Sequence, residues 1–123
     1  MLLKKPAFPK GVKVQTGQMI FLSGQVALDQ NGKLIGNDFS SQFNAAITNV
    51  SVALSEMNSG LEHIVHLRIY VVSLKPEHRF IIGGALEKVF EGCSPPANTL
   101  IGIQSLARKD LRVEIEAIAS SKC

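Results

Sequence analysis

The stretch from Leu111 to Ala119 narrows the chain's options more than any other. Leu111, Val113, Ile115 and Ala117 recur at every second position, with Arg112, Glu114, Glu116 and Ile118 between them. A period of two belongs to a strand with one buried face, because successive side chains leave a strand on opposite sides. His66 to Ser73 repeats the pattern: Leu67, Ile69 and Val71 share one face, and His66, Arg68 and Tyr70 share the other. Such strands need a partner layer. Phe43, Ala46, Ile47, Val50, Leu54 and Met57 supply it, falling on one stripe of a helix predicted over Phe39–Met57. Ser40 or Ser41 is its expected N-cap, Asp38 suits the positive end of the helix dipole, and Asn58-Ser59-Gly60 ends it. A lone helix of this length is marginal in water, so the stripe must bury against a sheet.

The remaining elements follow from local signals. Val12-Lys13-Val14-Gln15 alternates, Gly17 punctuates, and Met19-Ile20-Phe21-Leu22-Ser23 resumes an extended pattern, which predicts a hairpin turning at Gly17. Asp29-Gln30-Asn31-Gly32 is a turn by composition. Pro76 suits the first turn of a second helix. Phe80, Ile81, Leu86, Val89 and Phe90 form its less regular apolar face, and Gly83-Gly84 inside it implies close packing or a kink. Ser94-Pro95-Pro96 stops that helix, and Asn98 to Gln104 reads as a strand. The predicted order is β-β-α-β-α-β-β, an α+β domain with both helices on one face of the sheet. Its other face, carrying His66, Arg68, Tyr70, Glu114, Glu116 and Ile118, is neither cleanly polar nor cleanly apolar, which is how an assembly surface reads.

Composition removes several functional classes. With 123 residues the chain is one domain, 1–123, and 46% hydrophobic against 19% charged residues is a globular mix. The net charge is +3, but the basic residues are scattered, aromatics are 6% and Trp is absent, which argues against a nucleic-acid partner. No apolar run of about 18 residues and no signal-peptide h-region exist, so no membrane association is expected. Two cysteines, Cys93 and Cys123, fit a reduced cytoplasmic protein better than a disulfide scaffold. Phosphate-binding Gly-rich loops, metal-ligand clusters and G-x-S-x-G elbows are all missing, so neither a metal nor a cofactor is expected. Cys93 has no neighbouring His to lower its pKa and reads as inert.

Ile20-Phe21-Leu22-Ser23-Gly24-Gln25-Val26 followed by an Asn-Gly turn, Pro95-Pro96-Ala97, and Val113-Glu114-Ile115-Glu116-Ala117-Ile118-Ala119 together resemble the Rid (reactive intermediate deaminase; YjgF, L-PSP) superfamily. The resemblance runs from about Val14 to Ala119. It implies a chorismate-mutase-like α+β fold, a mixed sheet, a homotrimer with its sheets facing inward, and small-molecule clefts between subunits. Active members of the family hydrolyse 2-imino and 2-enamino acids to 2-keto acids and ammonia. In them an Arg after Pro-Ala grips the substrate carboxylate in a bidentate pair. Here that position is Asn98, which carries no charge. Lys10 stands near the place of the family's Tyr, and Gly83 near its Asn in the second helix. Ser23, Gly24 and Glu114 are retained.

The resemblance therefore implies Glu114 as the catalytic group that holds or activates water. Ser23, Gly24, Asn98 and Leu100 are implied on the substrate side, and Arg68 is the candidate substitute cation. On the residues alone, Gly24 lets a ligand approach the backbone closely. Glu114 and Glu116 also read as ordinary carboxylates on one strand face, and Asn98 as a strand-start residue. Three functions stay open: imine or enamine hydrolysis, small-metabolite binding without catalysis, and RNA binding or cleavage.

Overall fold

The protein is described by a computed structural model covering residues 9–14 and 17–122. Its elements are β1 (Met19–Gln25), α1 (Phe39–Glu56), a 3₁₀ turn (Leu61–His63), β2 (Ile64–Val72), α2 (Pro76–Val89), β3 (Ala97–Ile103) and β4 (Val113–Ser120). The strands form one mixed sheet in the order β1-β4-β2-β3. β4 runs antiparallel to both β1 and β2, and β2 runs parallel to β3 through the α2 crossover. The architecture is the expected α+β sheet with two helices. Among the described residues the order is β-α-β-α-β-β rather than β-β-α-β-α-β-β, because Val12–Val14 forms no strand and stays exposed. Gln15 and Thr16, which belonged to that expected strand, lie outside the described residues.

The period-two strands bury what they were expected to bury. Leu67, Ile69 and Val71 of β2 and Val113, Ile115, Ala117 and Ala119 of β4 meet Phe43, Ala46, Ile47, Val50 and Leu54 of α1 in one core, joined by Ile82 and Leu86 of α2. Met57, the last member of the α1 stripe, is exposed beyond the helix end. The cap also differs from expectation. Asp38, not Ser40 or Ser41, is the N-cap: its Oδ1 accepts the Ser41 N–H at 2.7 Å, which holds the Asp38 carboxyl below its ordinary value. At α2, His78 does the equivalent work. Its Nδ1 accepts the Lys75 N–H at 3.0 Å, and its ring stacks on Phe39 at 4.4 Å, fastening the start of one helix to the start of the other. Gly83 and Gly84 neither break α2 nor admit a close neighbour within the chain: the helix runs through them, and the space a Cβ would fill at either is open.

Two polar side chains inside α1 fix its height on the sheet. Gln42 is buried; its Nε2 donates to the Asp110 carbonyl at 2.9 Å, and its Oε1 accepts the Arg112 N–H at 2.8 Å. Asn49 Nδ2 donates to the carbonyls of Val26 at 2.7 Å and Leu28 at 3.0 Å. These amides satisfy backbone groups that the segments entering β4 and leaving β1 cannot pair by ladder bonds. Arg108 adds an outer clamp, bonding Asp110 and the Gly32 carbonyl together. Gln42→Leu keeps most of the volume but leaves the Asp110 carbonyl and Arg112 N–H without partners. It is expected to cost about 2 kcal/mol, read as a lower urea midpoint at unchanged slope.

Candidate functional site

The open face of the sheet is built by the residues that alternate with the core: Phe21 and Ser23 on β1, Glu114, Glu116 and Ile118 on β4, His66, Arg68 and Tyr70 on β2, and Thr99 and Ile101 on β3. Phe21 is 74% exposed. Between β1, β4 and β2 lies a hollow of about 260 Å³ lined by Phe21, His66, Arg68, Glu116 and Ile118 among others.

β1 is irregular at one place on this face. Leu22 pairs with Ala117 and Gln25 pairs with Ile115, so Ser23 and Gly24 together stand opposite Glu116 alone. A bulge of this kind bends the strand and re-aims the side chains beside it. The Glu114 side chain lies against the bulge. A Cβ on Gly24 would fall 2.5 Å from Glu114 Cδ and 2.8 Å from its Oε2. Glu114 is thus half-buried, and burial raises its carboxyl above the ordinary 4.5, with the charge of Glu116 adding to the effect.

Its neighbours are already engaged with one another. Tyr70, which pairs across the ladder with Glu114, donates its hydroxyl hydrogen bond to Glu116 Oε1, and this bond is the main cause that raises the Tyr70 pKa. Arg68 Nη1 stands 3.9 Å from the same oxygen. His66 Nε2 and Thr99 Oγ1 are 3.1 Å apart. Among the described residues, no three His, Cys, Asp or Glu side chains gather as metal ligands.

Of the residues singled out in the sequence, the structure brings Ser23, Gly24 and Glu114 together. Arg68 lies on the same face, its Nη1 near Glu116. Asn98 and Leu100 lie on the opposite, helix-covered face, because in the parallel register they match Leu67 and Ile69, whose side chains are core. Leu100 packs against that core. Asn98 Oδ1 is buried with no hydrogen-bond partner, so that oxygen does not cap local backbone. Tyr70 and Glu116 were not singled out as site residues. Their only sequence signal was the shared open face, which reads equally as solvated strand.

Residues 6–121 match the sequence pattern of the family described as Endoribonuclease L-PSP. The chain belongs to the Rid family. A solved Rid protein from Yersinia pestis, YyfB, superposes with a TM-score of 0.89 at 34% identity, covering 93% of this chain and 86% of that one. A RutC family protein of Pyrococcus abyssi is 29% identical over 116 residues, 94% of this chain and 88% of the relative. A protein of Dermatophagoides farinae named 2-iminobutanoate/2-iminopropanoate deaminase is 25% identical over 119 residues, 95% of this chain and 89% of the relative. The close superposition at 34% identity shows the fold to be that of a solved Rid protein.

A carboxyl that holds its proton more tightly folded than unfolded contributes stability below its unfolded pKa, and the contribution is lost as pH rises through the folded value. Glu114 is such a group. Glu114→Gln is therefore expected to flatten the loss of stability above about pH 4.5 and to melt higher than wild type at neutral pH. Paired thermal melts across that range check it.

Proposed function

We propose that this Rid protein adds water to a C=N bond, as an imine or enamine hydrolase acting on a small metabolite in a cleft between subunits of a homotrimer. What carries the reading is the Glu114 carboxylate, partly withdrawn from water, lying against the Ser23-Gly24 bulge. A glutamate with raised proton affinity is suited to take a proton from water and return it within one cycle. In the proposed reaction Glu114 accepts a proton as water's oxygen bonds to the imine carbon. It then gives that proton to nitrogen, and the carbinolamine collapses to a carbonyl compound and ammonia. Backbone groups near Gly24 and Leu100 hold the substrate. Within one chain Asn98 and Glu114 lie on opposite sheet faces. A site using both draws them from two subunits, which fits the intersubunit reading. The deaminase name of the mite relative supports the reaction class.

Asn98 limits which substrate this site takes. Replacing a bidentate carboxylate grip by an uncharged amide costs about 2–5 kcal/mol, or about 30-fold to several thousand-fold in rate. Arg68 lies 3.9 Å from Glu116 Oε1, so part of its charge is already compensated at the site. With freshly generated 2-iminobutanoate, turnover is expected to be well below that of Rid proteins carrying Arg at this position. Glu114→Gln should lower what remains by about 10²–10⁴-fold. Turnover equal to the Arg-bearing relatives, or no effect of Glu114→Gln, would overturn the reading. Asn98→Arg is expected to tighten binding of 2-oxobutanoate in calorimetry, and equal, negligible heats from both proteins with the trimer intact would remove position 98 from the site. Sedimentation is expected to give a trimer at micromolar concentration; a stable monomer there contradicts the shared cleft.

The uncharged Asn98 also favours a second reading, a metabolite-binding protein without catalysis. Binding of 2-keto acids with no turnover of any imine would select it. The endoribonuclease description of the family makes RNA cleavage a third outcome, but Arg68 and Arg108 are each paired with acidic side chains on this chain. A salt titration of RNA binding tests it.

A further inference from the structure

Glycine is kept in proteins for two separable reasons, a positive φ or a lack of room for Cβ. Gly32, Gly36 and Gly92 have φ values of 75°, 89° and 79° and answer to the first. Gly24 is not among the positive-φ glycines, so its backbone conformation is open to any residue. It answers to the second reason alone. What fills the space of its absent side chain is neither solvent nor other backbone but the Glu114 carboxylate, with Cδ, Cγ and Oε2 at 2.5, 2.8 and 2.8 Å from where Cβ would stand. Real Cβ atoms do not approach that closely, so any other residue at 24 must move Glu114. The contact is made possible by the bulge, which sets two β1 residues against Glu116 and carries Gly24 to the flank of the preceding open-face position on β4.

The carboxylate has few other places to go. Across the ladder stands Tyr70, bonded to Glu116, and two residues along β4 stands Glu116 itself, whose charge repels it. Core lies on the other side of the sheet. The remaining direction is outward, away from the strand backbone.

We infer that Gly24 is a positioning residue for Glu114: the bare backbone of the Ser23-Gly24 bulge is a seat that holds the carboxylate against β1, and a methyl group at position 24 unseats it. The inference takes from the proposed hydrolysis only the role of Glu114 as the group that handles water; the seat itself is a geometric claim. It gives the missing side chain of Gly24 a duty of its own, beside any backbone contact to a ligand, since the protein's own glutamate fills that space.

The test uses the full-length protein as Gly24→Ala, Glu114→Ala and the double variant. Site-resolved ¹³C NMR of the Glu114 carboxyl, with Glu114→Ala to assign the signal, follows its titration in the absence of any substrate. In Gly24→Ala the Glu114 titration is expected to move down toward that of an ordinary exposed glutamate, because the carboxylate leaves its partly buried seat. Melting is the second readout. Gly24→Ala is expected to change Tm by different amounts in the wild-type and Glu114→Ala backgrounds, because only the first has a carboxylate to displace. An unmoved Glu114 titration in a folded Gly24→Ala protein, or the same Tm change in both backgrounds, would overturn the seat. On 2-iminobutanoate, Gly24→Ala should lower kcat more than it raises KM and should add nothing to the loss in the Glu114→Ala protein. If the wild type turns over no imine, the hydrolase reading fails while titration and melting still decide the seat. If it turns over imine and the titration does not move, the seat alone fails.

Discussion

β4 sits between β1 and β2, and every second side chain it carries is sealed in the core. That one phase decides where each polar group of the sheet can appear. Because Val113, Ile115, Ala117 and Ala119 must face α1, Glu114 and Glu116 have to face away from it. The ladders then hand the same phase to β2 and, through the parallel pairing, to β3. A slip of one residue in β4 would bring two glutamates into the core, at a cost no local interaction here could offset. The face holding Glu114, and the one from which Asn98 is excluded, follow from the burial of four aliphatic side chains.

The helices respond to a different demand. Hydrophobic contact holds α1 on the sheet but does little to fix its position along its own axis, since apolar packing is not directional. Gln42 and Asn49 supply direction: each reaches off the helix to carbonyls or an N–H of a strand-end segment. The start of β4 and the exit of β1 are thereby referenced to the same helix. The Ser23-Gly24 bulge and Glu114 lie between those two anchors, so the amides hold in register the strands that bring the bulge and the carboxylate together.

What could be read from the sequence divides along the same line. β2, β4 and α1 were legible because each has a period and a stripe, and burial obeyed both. The strand expected at Val12–Val14 had a period but no buried face to enforce it, and no strand forms there. Asp38 was placed at the helix dipole but not as the cap, because Ser40 and Ser41 carry equal capping chemistry and only backbone geometry separates the three. Gln42 and Asn49 stand outside the predicted apolar stripe, and the backbone groups they bond are distant in sequence, so nothing local marks their role. The contact of Gly24 with Glu114 depends on a bulge, and the helix-side placement of Asn98 depends on a parallel register. Pattern specifies neither of these; both arise only when strands meet.

The order of the sheet also bears on how the protein comes to exist. β4 follows β1, β2 and β3 in the chain, yet among the described residues it is the only strand bonded to β1 and one of the two bonded to β2. Until it emerges, β1 has no partner strand, and the apolar faces of α1 and β2 have only part of their cover. A nascent chain can make the β2–α2–β3 unit early, but the sheet closes only when β4 slides between two strands already made. Closure of the sheet therefore waits for β4, and the half-made chain, with an unpaired β1 edge and a bare helix stripe, is the species a chaperone would meet.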